Sequence, residues 1–306
     1  MLLRCLESIR TQTLQPSRVI VIDNASSDGS EAAAAKAFPE FTIVALNENC
    51  GFAAANNYAV KIADDCEWLA LLNPDAYAAQ NWLERLLDAA QRNNGFSVFG
   101  TRMLMDNDPS LLDGVGDVYH ISGLAWRKGH GMPAYGRFEE PVEIISPCAA
   151  AALYCRQGFL AVGGFDEDYF CYMEDVDLGL RFHLFGLRCL YVPGSLVRHT
   201  GAALTGNHSD FSIYHGHRNL VWTYIKNMPG ALFWLLLPVH LALNIVAIVW
   251  FTLHGQGRVI LSAKWDALCG IPKMWSKRHY IQKNRVVSIG EFWHFLNKSL
   301  LLGRRG

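Results

Sequence analysis

The sequence is short of net charge. Its 27 Lys and Arg stand against 28 Asp and Glu, a formal −1 over 306 residues. No global charge therefore points to nucleic acid. It also lacks any Cys-x-x-Cys spacing. Its eight cysteines (Cys5, Cys50, Cys66, Cys148, Cys155, Cys171, Cys189 and Cys269) are scattered. That scatter argues against a zinc or dithiol redox motif, and reduced cysteines in a cytosolic catalytic domain are the simplest reading. No cleavable signal peptide is visible at the N-terminus.

What is present begins with Trp68 to Ala76, a short apolar run stopped by Asn73-Pro74-Asp75. It is too short for a confident helix, and it suits a buried strand of a parallel sheet. The residue before Pro is pushed to extended or turn geometry, so Asn73 stands at the strand's exit. Asp75 then sits at the carboxyl edge of the sheet, where open α/β sheets bind ligands. The plain alternative is a strand followed by an ordinary turn.

Leu2 to Gln12 has helical spacing, with apolar Leu2, Leu3, Leu6 and Ile9. Arg18 to Asp23 is a β-branched strand ending in a carboxylate. The turn Asn24 to Ser30 offers Ser or Asp to cap a helix from about Ser30. Phe41 to Leu46 reads as a strand, Phe52 to about Ala63 as a helix after a tight turn at Gly51, Asn81 to Asn93 as an amphipathic helix, and Phe96 to Gly100 as a strand. Met105 to Glu143 reads as a long loop, functional or mobile. Ser146 to Arg156 is a small-residue apolar run, and a helix runs on from Glu174 through Phe185. Arg188 to Val192 is the last strand, with His199 beyond it. Strands alternating with helices predict an α/β fold with a doubly wound, mostly parallel sheet.

Ala231 to His254 is almost wholly apolar, broken by Pro238, His240 and Asn244. A helix of that length suffices to cross a bilayer. Basic residues flank it on both sides and give no orientation. A span, a re-entrant or interfacial helix pair, and a buried soluble helix all stay open. From Gly255 onward ten Lys/Arg face only Asp266 and Glu291. That basic, aromatic tail suits an anionic membrane surface, with a soluble basic tail as the alternative.

The topology brings Asp23-Asn24, Asn73-Pro74-Asp75, Glu174-Asp175 and His199 to one sheet edge. A carboxylate with an imidazole makes a divalent-metal set with positions left for phosphate oxygens. A second carboxylate free of metal serves as a general base.

Five motifs in order carry a resemblance: Val21-Ile22-Asp23-Asn24-Ala25-Ser26-Ser27-Asp28-Gly29-Ser30; Asn49-Cys50-Gly51-Phe52-Ala53 with Asn56-Asn57; Leu72-Asn73-Pro74-Asp75-Ala76; Gly163-Gly164-Phe165-Asp166-Glu167; and Glu174-Asp175-Val176-Asp177-Leu178. Over Leu2 to Asn219 the chain resembles inverting family-2 glycosyltransferases of the GT-A fold, in the rhamnosyltransferase-like subgroup of bacterial cell-surface polysaccharide synthesis. The resemblance implies a GT-A domain over 1–205 and a helical, membrane-associated region over 206–306, at the cytoplasmic face of the cell membrane. It implies a nucleotide-sugar donor, such as dTDP-L-rhamnose, a lipid-linked or glycan acceptor, and Mg²⁺ or Mn²⁺. Asp23 and Asp28 match positions holding base and ribose, with Asn24 in the same nucleotide-sugar site. Gly51, Phe52, Asn56, Asn57, Asn73 and Arg218 match the rest of the nucleotide-sugar site. Asp75 and His199 match the metal ligands, Asp175 the base and Glu174 its neighbour.

Two departures stand out. The family's first strand is expected ahead of Leu2 and is missing from this sequence: either the start codon is misassigned, the chain is truncated, or the sheet lacks a central strand. The Gln-x-x-Arg-Trp signature of processive members is replaced by His215-Gly216-His217-Arg218-Asn219, which favours single addition. The competing reading is an inactive sugar-nucleotide-binding or scaffold protein owing to that missing strand. A nucleotidyltransferase is disfavoured, because the Gly-rich, basic N-terminal loop of such enzymes is not seen.

Overall fold

The apolar runs do become strands, but they pair largely antiparallel. The computed structural model describes residues 1–201 and 209–299. The expected boundary at 205/206 lies outside them, as do Arg304 and Arg305. The first half contains α1 (Leu2–Arg10), β1 (Ile20–Asp23), α2 (Ser30–Ala37), β2 (Thr42–Ala45), α3 (Gly51–Ile62), β3 (Trp68–Leu72), β4 (Ala76–Ala78), α4 (Trp82–Arg92) and β5 (Val98–Met105). Four three-residue strands follow: β6 (Leu112–Gly114), β7 (Asp117–Tyr119), β8 (Ala125–Arg127) and β9 (Val142–Ile144). Then come β10 (Ala151–Cys155), α5 (Arg156–Ala161), α6 (Glu174–Leu184) and β11 (Cys189–His199). Five helices close the chain: α7 (Asp210–Asn227), α8 (Gly230–Leu253), α9 (Gly257–Cys269), α10 (Ile271–Lys283) and α11 (Ile289–Phe295).

The main sheet has the order β3-β10-β5-β11-β4, with β6 on β5 and β9 on β11. β5 and β11 run parallel, whereas β3–β10, β10–β5 and β11–β4 run antiparallel. The expectation of a mostly parallel sheet is therefore corrected to a mixed one. The cause is β10, which inserts between β3 and β5 running the other way. Alternation along each strand then fills two cores. Val98, Tyr154 and Tyr191 face one core with Val60, Phe159 and Phe182. Phe99, Leu153 and Leu190 face the other, with Trp82, Leu83 and Leu86 of α4. Strands covered on both faces read as continuous apolar runs, as these do.

β1 and β2 form a separate parallel pair with a small core of Leu6, Ala34 and Phe38. Among the described residues β1 pairs only with β2, and β3 only with β10. A cavity of about 2190 Å³ is lined by Ile20, Val21 and Ile22 on one side and Leu69 to Leu72 on another. The sheet is thus split between β1 and β3, and the same cavity reaches the carboxyl ends of both strands.

The stretch expected to be one long loop instead carries β6 to β9. The terminal helices share a core with the α/β part: Val176, Leu180 and Leu184 of α6 cluster with Trp222, Ile225, Leu236 and Met274. On α8 the buried residues Leu232, Leu236, His240 and Asn244 repeat every fourth position. That spacing makes one stripe along a helix. Trp234, Leu235, Leu241, Ile245, Val249 and Trp250 are exposed on the rest of it, and Leu261, Trp265 and Leu268 on α9. The two interrupting polar residues therefore sit on the protein side. His240 Nδ1 lies 2.8 Å from the Ser122 carbonyl oxygen.

Candidate active site

β1 ends at Asp23, whose carboxylate accepts the Ser26 amide at 3.1 Å. Asn24 then bridges to the next βα turn. Its Nδ2 donates to Asn49 Oδ1 and to the Gly51 carbonyl, and its Oδ1 accepts the Cys50 amide. Asp28 accepts the Ser30 amide at 3.0 Å, and bonding to Ser30 holds its carboxyl below the usual range. The cap of α2 itself is Gly29, without a side-chain bond. Asp23, Asn24, Asp28, Gly51, Phe52 and Asn56 all line the cavity.

Gly51 is positioned by necessity. It has φ +82°, and a Cβ there would lie 2.6 Å from the ring and carbonyl oxygen of Phe170. The Phe170 carbonyl accepts the Phe52 amide at 2.7 Å. The aromatic loop before α6 thus closes on the N-terminus of α3.

Asn73 leaves β3 with its amide bonded to the Ala150 carbonyl, and its own carbonyl accepts the Ala76 amide. Asp75 is buried beside the last residue of β11, with His199 Nε2 3.4 Å from Asp75 Oδ1. His199 therefore closes β11 rather than following it, because that strand runs seven residues beyond the expected Val192. Both strands deliver their side chains to one point, since His199 pairs with Ala76 in the β11–β4 ladder. Two donor atoms at that separation fit neighbouring positions around a small divalent cation, whose bonds are on the order of 2 Å. Among the described residues no group of three or more His, Cys, Asp or Glu side chains forms a metal site. Asp75 and His199 are a pair, which suits a cation whose other positions go to phosphate oxygens.

Opposite them, Met173 in a left-handed conformation (φ 68°) starts α6 and presents Glu174 and Asp175. Asp175 accepts the Val176 amide at 2.8 Å and the Ala149 amide at 3.4 Å. Burial raises its carboxyl, and those amides and Arg127 oppose the rise. Glu174 is buried with Oε2 unpaired, and burial and then Asp175 push its carboxyl well up. Burial raises both adjacent carboxyls, Glu174 the more strongly, while Asp175 alone has two amides and Arg127 opposing the rise.

Two expected residues lie elsewhere. Asn57 bonds in both directions to Phe165 of the Gly163–Glu167 turn and is not part of the cavity lining. Arg218 lies behind the aromatic loop, donating to the carbonyls of Asp168 and Tyr169. Three further residues of the cavity wall were not anticipated: Asp113, Asp117 and Arg127, all from β6 to β8. Asp117 accepts the Ser146 hydroxyl at 2.7 Å, and burial pushes its carboxyl up to about 8. Arg127 pairs with Asp113.

Carboxylates and an imidazole thus gather in one large cavity at the carboxyl ends of the strands, where open α/β sheets bind ligands. The chain matches the model of glycosyl transferase family 2 over residues 1–159, and it belongs to that family; it is a rhamnosyltransferase-like glycosyltransferase. It is 32% identical over 247 residues to an N-acetylglucosaminyl-diphospho-decaprenol L-rhamnosyltransferase of Mycobacterium tuberculosis, covering 72% of this chain and 78% of that one. It is 30% identical over 214 residues to the O-antigen biosynthesis protein RfbC of Myxococcus xanthus, covering 66% and 16%. Two solved structures share the fold at 15% and 16% identity. One is GalNAc-T7 with UDP, GalNAc and Mn²⁺ (TM-score 0.58, 74% of this chain, 45% of that one). The other is the mannosyltransferase PcManGT of Pyrobaculum calidifontis with GDP-Man and Mn²⁺ (TM-score 0.53, 92% and 81%).

Proposed function

We propose that this protein is a metal-dependent inverting glycosyltransferase that makes a single addition of L-rhamnose, from dTDP-L-rhamnose, to a lipid-linked or cell-surface glycan acceptor. The observation that carries the reading is one cavity that joins the Asp23–Asp28 and Gly51–Asn56 shelf to Asp75 and His199 and to Asp175. On this reading the shelf holds the nucleoside, and Asp75 and His199 hold Mg²⁺ or Mn²⁺ at the diphosphate. That cation, when bound, supplies Lewis-acid stabilisation of the leaving diphosphate. Asp175 takes the proton of the acceptor hydroxyl as that oxygen attacks the anomeric carbon from the face opposite the nucleotide. Glu174, whose carboxyl burial and Asp175 push well up, stands beside the base as its neighbour. The rhamnosyl and polyprenyl-diphosphate terms in the name of the mycobacterial relative support the donor and acceptor classes, and the Mn²⁺ of both structural neighbours fits the metal pair.

The exposed apolar surface of α8 and α9, next to a basic tail, supports seating at the cytoplasmic face of the membrane. α8 is long and apolar enough to cross a bilayer, yet its buried stripe packs against the protein. An interfacial helix pair fits both facts, because apolar area and basic charge together give firm membrane association. Full-length protein sedimenting with vesicles of anionic lipid supports this; protein left in the supernatant removes it.

The open edges of β1 and β3 are read as the place of the family's first strand. The second reading is an inactive sugar-nucleotide binder, kept because among the described residues β1 pairs only with β2 and β3 only with β10. A panel of nucleotide sugars with a polyprenyl-diphosphate acceptor separates the two, with product anomers read by NMR. Transfer with inversion carries the enzyme reading. Nucleotide binding without release of any nucleoside diphosphate carries the other.

A further inference from the structure

The groups behind the candidate metal pair form a line. His199 Nε2 faces Asp75, while His199 Nδ1 lies 2.8 Å from Asp113 Oδ2. Asp113 is 4% exposed on β6. Arg127 of β8 donates to that same carboxylate oxygen, and His130 Nδ1 lies 3.5 Å from the other. The imidazole is therefore gripped on one nitrogen, with its other nitrogen turned into the cavity.

We propose that Asp113 is a positioning residue for the metal-binding imidazole: it accepts the Nδ1–H of His199 and so fixes the tautomer whose Nε2 lone pair faces the Asp75 carboxylate. The proposal rests on the reading that Asp75 and His199 hold the donor's cation. Which nitrogen of a ligating histidine is free is set by the bond the other nitrogen makes. A carboxylate in this place orients the ring and raises its basicity, and losing such a partner typically costs 10- to 100-fold in metal affinity. Arg127 has its own part. Its charge compensates a carboxylate sunk in the wall, and its Nη1 bond to the Asp113 oxygen that meets His199 keeps Asp113 turned toward the ring. β6 and β8 come from the stretch that reads as loop, so the short strands there act as a backing plate for the metal pair.

The test uses calorimetric titration of dTDP, with and without Mn²⁺, into wild type, Asp113→Asn and Asp113→Ala. The expected result is that the Mn²⁺-dependent gain in dTDP affinity drops tenfold or more in both variants, while metal-free dTDP affinity stays within twofold. An undiminished gain overturns the proposal. A parallel loss of metal-free affinity also overturns it, because Asp113 then supports the whole pocket. No Mn²⁺ gain in wild type removes the metal reading itself, and the proposal with it. A measurement independent of any variant's folding is the ¹⁵N spectrum of the wild-type imidazoles. His199 should carry its proton on Nδ1; a proton on Nε2 in the neutral ring contradicts the assignment.

Discussion

Replacing Asn219 by Ala should disable catalysis more than it destabilises the fold. Asn219 is fully buried on α7. Its Nδ2 lies 2.8–2.9 Å from three carbonyl oxygens, those of Tyr169, Cys171 and Tyr172, which share its two hydrogens, and its Oδ1 accepts Arg218 Nε. The loop it holds contains Phe170, Tyr172 and Met173, all with φ between 64° and 68°. A non-glycine residue held at positive φ costs on the order of 1–3 kcal/mol, about 3–9 kcal/mol for the three. In Asn219→Ala the Tyr169 carbonyl keeps Arg218, while those of Cys171 and Tyr172 lose this donor. Each lost bond is worth roughly 0.5–1.5 kcal/mol net, about 1–3 kcal/mol for two. The loop's strain is at least of that size, so the loop should relax rather than the domain unfold. Global stability should fall by no more than about 2–3 kcal/mol, below the 5–15 kcal/mol typical of a domain. Turnover should fall by ~10² or more, because the loop sets the start of α6 and with it Asp175. Urea unfolding and turnover at saturating donor measure the two quantities. A variant that loses stability yet turns over normally refutes this account of the loop.

Asp175 must be ionised to act, and its carboxyl is raised by burial. Turnover should therefore fall as pH drops through a limb lying above the ~4 of an ordinary carboxylate. Arg127 opposes the rise, so Arg127→Met should move that limb to higher pH in a pH–rate profile. In hydrogen exchange, the amides of β1 and β2 should be less protected than those of β5 and β11. The smaller pair has its own small core and, among the described residues, an unpaired edge, and a two-stranded unit alone is marginal. Equal protection would mean that the split sheet behaves as one unit.

The βα alternation of the first half was legible because each strand is an apolar run with a polar stop, and Asn73-Pro74-Asp75 marked one site edge directly. The direction of β10 was not. A run buried on both faces reads the same in either direction, and only its partners β3 and β5 fix it. The strands of Met105–Glu143 escaped notice because three residues carry no period. With them escaped Asp113, Asp117 and Arg127, although Asp113-Gly114-Val115-Gly116-Asp117 sets two carboxylates around a glycine with φ 112°. Asn56 and Asn57 looked equivalent in sequence. Successive helical residues point about 100° apart, so one faces the cavity and the other the Phe165 turn. The aromatic loop was legible as a preface to Glu174-Asp175, but its grip by α7 depends on a contact across some fifty residues that no local pattern records.

The most direct test compares Asp175→Asn with Glu174→Gln at saturating donor, each checked for nucleotide binding by calorimetry. Asp175→Asn keeps the shape and removes the proton acceptor. It should lower transfer by ~10² or more, as expected for loss of a general base, with nucleotide affinity near wild type. Glu174→Gln keeps the shape of a neighbour that does not take the proton, and it should cost less. Near-normal transfer by Asp175→Asn alongside an inactive Glu174→Gln would contradict the account and assign the base to Glu174.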